Sequence, residues 1–73
     1  MTRLGEYLAK RAINRAAVSR RTGISKTRLS ELSNNPGTKL RADELYLIAL
    51  AIEVDPCEVL DAVCNHLKLE VTP

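Results

Sequence analysis

The sequence predicts an all-α fold of five short helices, and three observations carry that expectation. The stretch 14–35, NRAAVSRRTGISKTRLSELSNN, reads as two helix-forming runs broken by Gly23. An apolar residue, a capping residue and a second apolar residue recur as Ile13, Asn14 and Val18, as Ile24, Ser25 and Leu29, and as Val54, Asp55 and Val59. That arrangement is a hydrophobic staple around an N-cap, and each instance marks a helix start. No segment before residue 67 alternates apolar and polar residues as a half-buried strand would.

Taken in order, the first helix is expected over about residues 2–12, with Leu4, Leu8 and Ala12 on one stripe and Tyr7 beside it. Asn14 caps the second helix, which runs to Thr22. Gly23 ends it, since glycine takes the left-handed cap conformation without a side-chain clash. Ser25 caps the third, because its hydroxyl can accept from the free N–H groups of the next turn. The residues Asn35, Pro36 and Gly37 make a turn. The fourth helix, about residues 41–52, has the staple pair Leu40 and Leu45 but no good capping residue. Its core stripe is Leu45, Ile48, Ala49 and Ile52, while Tyr46, Leu47 and Leu50 make a second side apolar. The fifth opens with cap Asp55 and with Pro56 at the first helical position, and Glu58 is placed to complete a capping box.

Seventy-three residues form one domain near the lower size limit for a self-sufficient core. The 45% hydrophobic content is that of a folded chain. No apolar run reaches the length of a membrane span, and MTRLGEYL lacks the apolar centre of a signal peptide, so a cytoplasmic location and no membrane partner are expected. Two cysteines seven residues apart on one helix lie about 10.5 Å apart along its axis, beyond the roughly 7 Å that a disulfide tolerates. Cys57 and Cys64 are therefore expected as buried thiols acting as small apolar groups. His66 adds no zinc-ligand spacing to them and is expected at the surface or a helix end, so neither metal nor cofactor is anticipated.

Charge divides the chain. Residues 1–41 hold ten basic against two acidic residues, net +8, and residues 42–73 hold one against seven, net −6. Such asymmetry points to a polyanionic partner for the first half, recruited by counterion release. Two helices joined by a short glycine turn form a helix-turn-helix, whose second helix can enter a DNA major groove. On that helix, Leu29 and Leu32 point together toward the core. Thr27, Ser30, Glu31 and Asn34 point the opposite way, flanked by Lys26 and Arg28. Lys26 offers a donor to guanine, Glu31 an acceptor for the cytosine amino group, and the Thr27 methyl a contact for thymine.

These residues resemble the lambda-repressor and Cro-like family, also called Xre-type. The resemblance rests on Val18 and Ser19, on Gly23, on the pair Ile24 and Ser25, on the anchor Leu29, and on the later segment from Ala49 to Pro56. It implies a five-helix DNA-binding domain over residues 1–66 with its motif at 15–34 and recognition helix at 26–34, followed by a tail at 67–73. It further implies that Arg15 contacts phosphate, that Ser25, Lys26, Thr27, Arg28, Ser30 and Glu31 face the groove, and that Asn34, Lys39 and Arg41 hold the DNA backbone. Arg15 stands where the family commonly has Gln, Ser19 where Ala is usual, and Asn35 where a Gly follows the recognition helix, with Gly37 two residues later.

The expected activity is sequence-specific binding of double-stranded DNA by a transcriptional repressor, working at the nucleoid. One histidine, no nucleophile–base spacing and no phosphate loop argue against an enzyme. Two aromatic residues, Tyr7 and Tyr46, are too few for the stacking platforms of single-strand or RNA binding. The alternative is an antitoxin-type or other protein-interaction module, in which the acidic second half engages a protein partner. A homodimer is expected from the fifth helix, whose apolar arc of Val59, Leu60, Val63 and Leu67, extended by Cys57 and Cys64, exceeds one core face. Beyond it, LKLEVT at 67–72 alternates with period two, as a strand paired across a twofold axis would, or else is a frayed tail or helix continuation.

Overall fold

A computed structural model describes residues 1–71. Five helices follow one another: α1 (Arg3–Lys10), α2 (Arg15–Thr22), α3 (Lys26–Asn34), α4 (Ala42–Ala51) and α5 (Pro56–Cys64), with no strand among the described residues. The caps largely follow the sequence. Asn14 accepts from the Ala17 N–H at 3.2 Å, Ser25 from the Arg28 N–H at 3.0 Å, and Asp55 from the Cys57 N–H at 2.8 Å. Gly23 closes α2 at φ 79° and donates to the Ser19 carbonyl.

Three local expectations need correction. Ala12 does not extend the α1 stripe: it sits beyond the helix at φ 53°, exposed. There the Ile13 N–H reaches the Leu8 carbonyl at 3.1 Å and the Ala12 N–H the Ala9 carbonyl at 3.0 Å. That is a Schellman motif, with alanine in the left-handed position that glycine usually takes. α4 ends identically, with Glu53 at φ 60° and the Val54 N–H bonded to the Ala49 carbonyl at 3.0 Å. Glu58 completes no capping box, because its carboxylate accepts from the Tyr7 hydroxyl and lies 3.5 Å from Arg11 Nη1. The third correction concerns the thiols: Cys57 is exposed and Cys64 half-buried, both unpaired.

The core is a single cluster of Leu4, Leu8, Val18, Ile24, Leu29, Leu32, Ile48, Ala49 and Val59. The other staple residues, Ile13, Leu40, Leu45 and Val54, pack against it half-buried, so each staple both fixes a helix entry and extends the core. Burying a leucine such as Leu29, 1% exposed, contributes about 1.5–3 kcal/mol. Helix α3 packs on α1 and α2, and α4 packs on α2 and α5.

The junction of α1 with α3 sets the position of the third helix. Thr2, the N-cap of α1, donates its N–H to the Ser33 carbonyl at 2.8 Å and its hydroxyl to the Leu32 carbonyl at 2.7 Å. Its Oγ1 meanwhile accepts from the Gly5 N–H at 3.0 Å. One residue thus caps the start of α1 with its side chain and, through its hydroxyl and its own N–H, occupies two free carbonyls at the end of α3, where a helix leaves its last acceptors unsatisfied. Gly5 permits the approach, since a Cβ there would overlap the Ser33 carbonyl oxygen.

The tail forms neither helix nor strand over residues 67–71 and is exposed. The last residue of the alternating segment, Thr72, lies outside the described residues. Leu67, assigned by spacing to the α5 arc, lies past the end of that helix and is 64% exposed.

Candidate nucleic-acid interface

Helix α3 divides as its sequence implies. Leu29, Leu32 and Ser33 are buried, while Ser25, Lys26, Thr27, Ser30, Glu31 and Asn34 are exposed. The turn that presents this face is tied down by side chains. Ser19 Oγ donates to the Ile24 carbonyl at 2.6 Å, and the Ile24 N–H donates to Thr22 Oγ1 at 3.1 Å. Ser19 therefore does more than stand in for a small residue, because its hydroxyl ties α2 to the turn that leads into α3. Spacing alone gave no signal of that role. Arg21 is likewise structural, donating to the Ala51 carbonyl at 2.8 Å and closing the end of α4.

Arg15 opens α2 half-buried, and Lys26 opens α3 exposed, each at a helix N-terminus whose free N–H groups favour an anion. Neither forms an ion pair among the described residues, nor does Lys39. Asn34 turns its amide back onto the Ser30 carbonyl at 3.0 Å. After α3, Asn35 is extended at φ −105° and ψ 108°, so the chain makes no left-handed exit there. Instead Asn35 Oδ1 accepts from the Gly37 N–H at 2.9 Å and its carbonyl from the Thr38 N–H at 3.0 Å. This side-chain turn brings the loop round to Lys39 and Arg41, both exposed.

Arg28, expected to face the groove, makes its contacts within the protein. Its Nε lies 2.9 Å from Glu44 Oε2, its Nη2 3.0 Å from Glu44 Oε1, and the same Nη2 donates to the Lys39 carbonyl at 2.9 Å. Glu44 is 2% exposed and also accepts from the Arg41 N–H at 3.0 Å. That last bond supplies the α4 start which the sequence lacked, because the acid three residues into the helix reaches back to the cap. The hydrogen bonds from Arg28 hold the Glu44 carboxyl below its ordinary value, against the opposing effect of burial. The same pairing raises the Arg28 guanidinium. No sequence rule linked these two residues, since neither periodicity nor capping relates positions on different helices.

Elsewhere the apolar surface is uneven. Tyr46, Leu47 and Leu50 on α4 are 54%, 38% and 51% exposed, and Leu60 on α5 is 50% exposed. Leu60, Val63 and Leu67 line a groove of about 610 Å³ together with Leu4, Leu40 and Leu45. No helix among the described residues is long and apolar enough to cross a membrane.

No curated protein and no solved structure matches the chain. The sequence model of the Cro/C1-type HTH DNA-binding domain matches residues 3–65, from the first residue of α1 to just past the end of α5. With five helices, a glycine-turned α2–α3 pair and a polar outer face on α3 inside that span, the chain belongs to the Cro/C1-type helix-turn-helix DNA-binding family.

Proposed function

We propose that the protein is a sequence-specific regulator of transcription, a repressor that reads the major groove of double-stranded DNA with α3 and works as a homodimer at the nucleoid. The observation that carries this reading is the outer face of α3: Lys26, Thr27, Ser30, Glu31 and Asn34 are all exposed on a helix whose opposite face is buried. Arg15, Lys39 and Arg41 supply phosphate contacts on either side of it in sequence, and such contacts place a recognition helix without reading bases. Ser25 takes a groove-edge position as the N-cap. Residues 1–66 act as the DNA-binding domain and residues 67–73 as an appended tail. Selection of bound sites from a random duplex library tests the reading, with binding repeated across salt. Each phosphate contact adds about 0.9 to the slope of log affinity against log salt. Thr27→Ala and Glu31→Ala each shift preference at one base pair by about 1–3 kcal/mol. Arg15→Ala weakens all sequences alike. Absence of site enrichment with the wild-type chain refutes the proposal.

The dimer rests on exposed Leu60 and Leu67 beside the groove, since a small domain gains by burying such surface against its own copy. Two recognition helices then fall about 34 Å apart, one helical turn of DNA. Sedimentation at micromolar concentration checks this, and a strict monomer with and without DNA refutes it. Leu60→Asp with Leu67→Asp weakens operator binding without touching a DNA contact. A second reading, a protein-interaction module of antitoxin type, is favoured by Tyr46, Leu47 and Leu50, an exposed apolar face on α4 that DNA binding leaves unused. Co-purification of a protein partner that is lost with Tyr46→Ser and Leu50→Ser decides for it.

A further inference from the structure

We infer that Arg28, although it stands on the recognition helix, is a positioning residue: with Glu44 it clamps the loop that carries Lys39 and Arg41 to α3. The inference rests on the DNA-binding reading above and assigns Arg28 a role that reading alone does not contain. Three observations support it.

The first is the commitment of the guanidinium's forked edge, which leaves only Nη1 without a partner among the described residues. Nε and Nη2 are committed to the two oxygens of Glu44 at 2.9 and 3.0 Å, and Nη2 also to the Lys39 carbonyl at 2.9 Å. Reading guanine with two parallel donors requires a free guanidinium edge. Withdrawing this one would leave a carboxylate that is 2% exposed with only the Arg41 N–H at 3.0 Å and the Arg41 guanidinium at 3.6 Å, and a buried acid that loses its bidentate partner costs more than an exposed one. The second observation is that α3 and α4 do not pack directly on one another among the described residues, since α3 lies on α1 and α2. Both helices pack on α2, and the bridge between Arg28 and Glu44 adds a direct link from the recognition helix to the start of α4. The third is where the clamp grips. Arg28 holds the loop at the carbonyl of Lys39, and Glu44 holds it at the N–H of Arg41. Those two bonds fix the backbone of both residues; the Lys39 ammonium is exposed with no ion pair among the described residues, and the exposed Arg41 guanidinium lies 3.3 Å from Asp43 and 3.6 Å from Glu44. A planar fork against a carboxylate has a defined geometry, which a lysine cannot reproduce. The loop cations are thus held at one register relative to the base-reading face, and their phosphate contacts cost less ordering on binding.

The test is a coupling experiment on DNA affinity. Wild type, Arg28→Met, Lys39→Ala and the double variant are titrated with the selected duplex at several salt concentrations, at a temperature where circular dichroism shows each one folded. Arg28→Lys and Glu44→Gln serve as milder variants should Arg28→Met not fold. The clamp predicts that Arg28→Met loses about tenfold in affinity and about one to two units of salt slope, with base preference unchanged at every position. It also predicts that Lys39→Ala, costly in the wild-type background, has no further effect once Arg28 is replaced. Arg28→Lys retains the charge and does not restore the loss, whereas Glu44→Gln, which touches no DNA, reproduces part of it. A preference change at one base pair in Arg28→Met overturns the inference, because Arg28 would then read a base. Additive losses from Arg28→Met and Lys39→Ala overturn it too, because a role confined to stability leaves the two independent. Wild-type protein that shows no site enrichment defeats the proposed function itself, and the inference with it.

Discussion

Gly5→Ala is the sharpest test of how α1 holds α3, because two forces act on it with opposite signs. Helix propensity alone favours alanine over glycine by about 1 kcal/mol in a helix interior. Opposing it, the new Cβ would overlap the Ser33 carbonyl oxygen and stand 2.6 Å from Met1 Cγ. Met1 is 65% exposed and can swing away, but the carbonyl belongs to the backbone of α3 and cannot. Relief then requires α1 and α3 to separate, which stretches the Thr2 bonds to Ser33 and Leu32 at 2.8 and 2.7 Å. Two hydrogen bonds are worth about 1 kcal/mol each, and forcing atoms into a packed contact costs about 1–3 kcal/mol. Set against the propensity gain, the expected net loss is roughly 2–4 kcal/mol. In a domain of this size each kcal/mol moves Tm by about 4–8 °C, so Tm falls by at least about 8 °C. Thermal and urea unfolding followed by far-ultraviolet circular dichroism measure it, with Ala9→Gly on the exposed side of the same helix calibrating the propensity effect. An unchanged or raised Tm for Gly5→Ala refutes the close-packed junction.

Three further outcomes are expected. Ser33→Ala raises stability by about 1 kcal/mol in urea unfolding, since Ser33 Oγ is buried without a partner among the described residues and a stranded hydroxyl is costly to bury. Ala12→Gly and Glu53→Gly each raise Tm by a few degrees, because both positions sit at positive φ where glycine carries no side-chain clash, even after its greater unfolded-state entropy is subtracted. Glu44 makes stability acid-sensitive with a definite sign. Arg28 lowers its folded carboxyl below the unfolded value, so the pairing contributes fully above the ordinary carboxylate range and is lost as pH falls through the folded value. Tm measured from pH 7 downward therefore drops further for wild type below about pH 4 than for Glu44→Gln, and parallel curves would rule this out.

Much of this protein could be read from its residues because the signals are local. Asn14, Ser25, Asp55 and Gly23 act within one turn of their own positions, and the Ile13, Ile24 and Val54 staples reach only to the next helix turn, so type and order of all five helices followed from spacing. The outward set Lys26, Thr27, Ser30, Glu31 and Asn34 followed as well, since a helix with Leu29 and Leu32 inward leaves one direction for the rest. What the tertiary structure decided are the long-range partners. Position on α3 turns Arg28 toward the groove, whereas in the folded chain it grips Glu44 sixteen residues away, because only the folded chain brings the α4 start beside α3. Glu58 left its local capping role for Tyr7, fifty-one residues distant, and Thr2 closed the end of α3 from the far end of α1. Periodicity reports which way a side chain points from its own helix, while the partner it meets depends on how the helices are stacked. For charged and capping groups that partner separates a contact with DNA from a contact that holds the domain together.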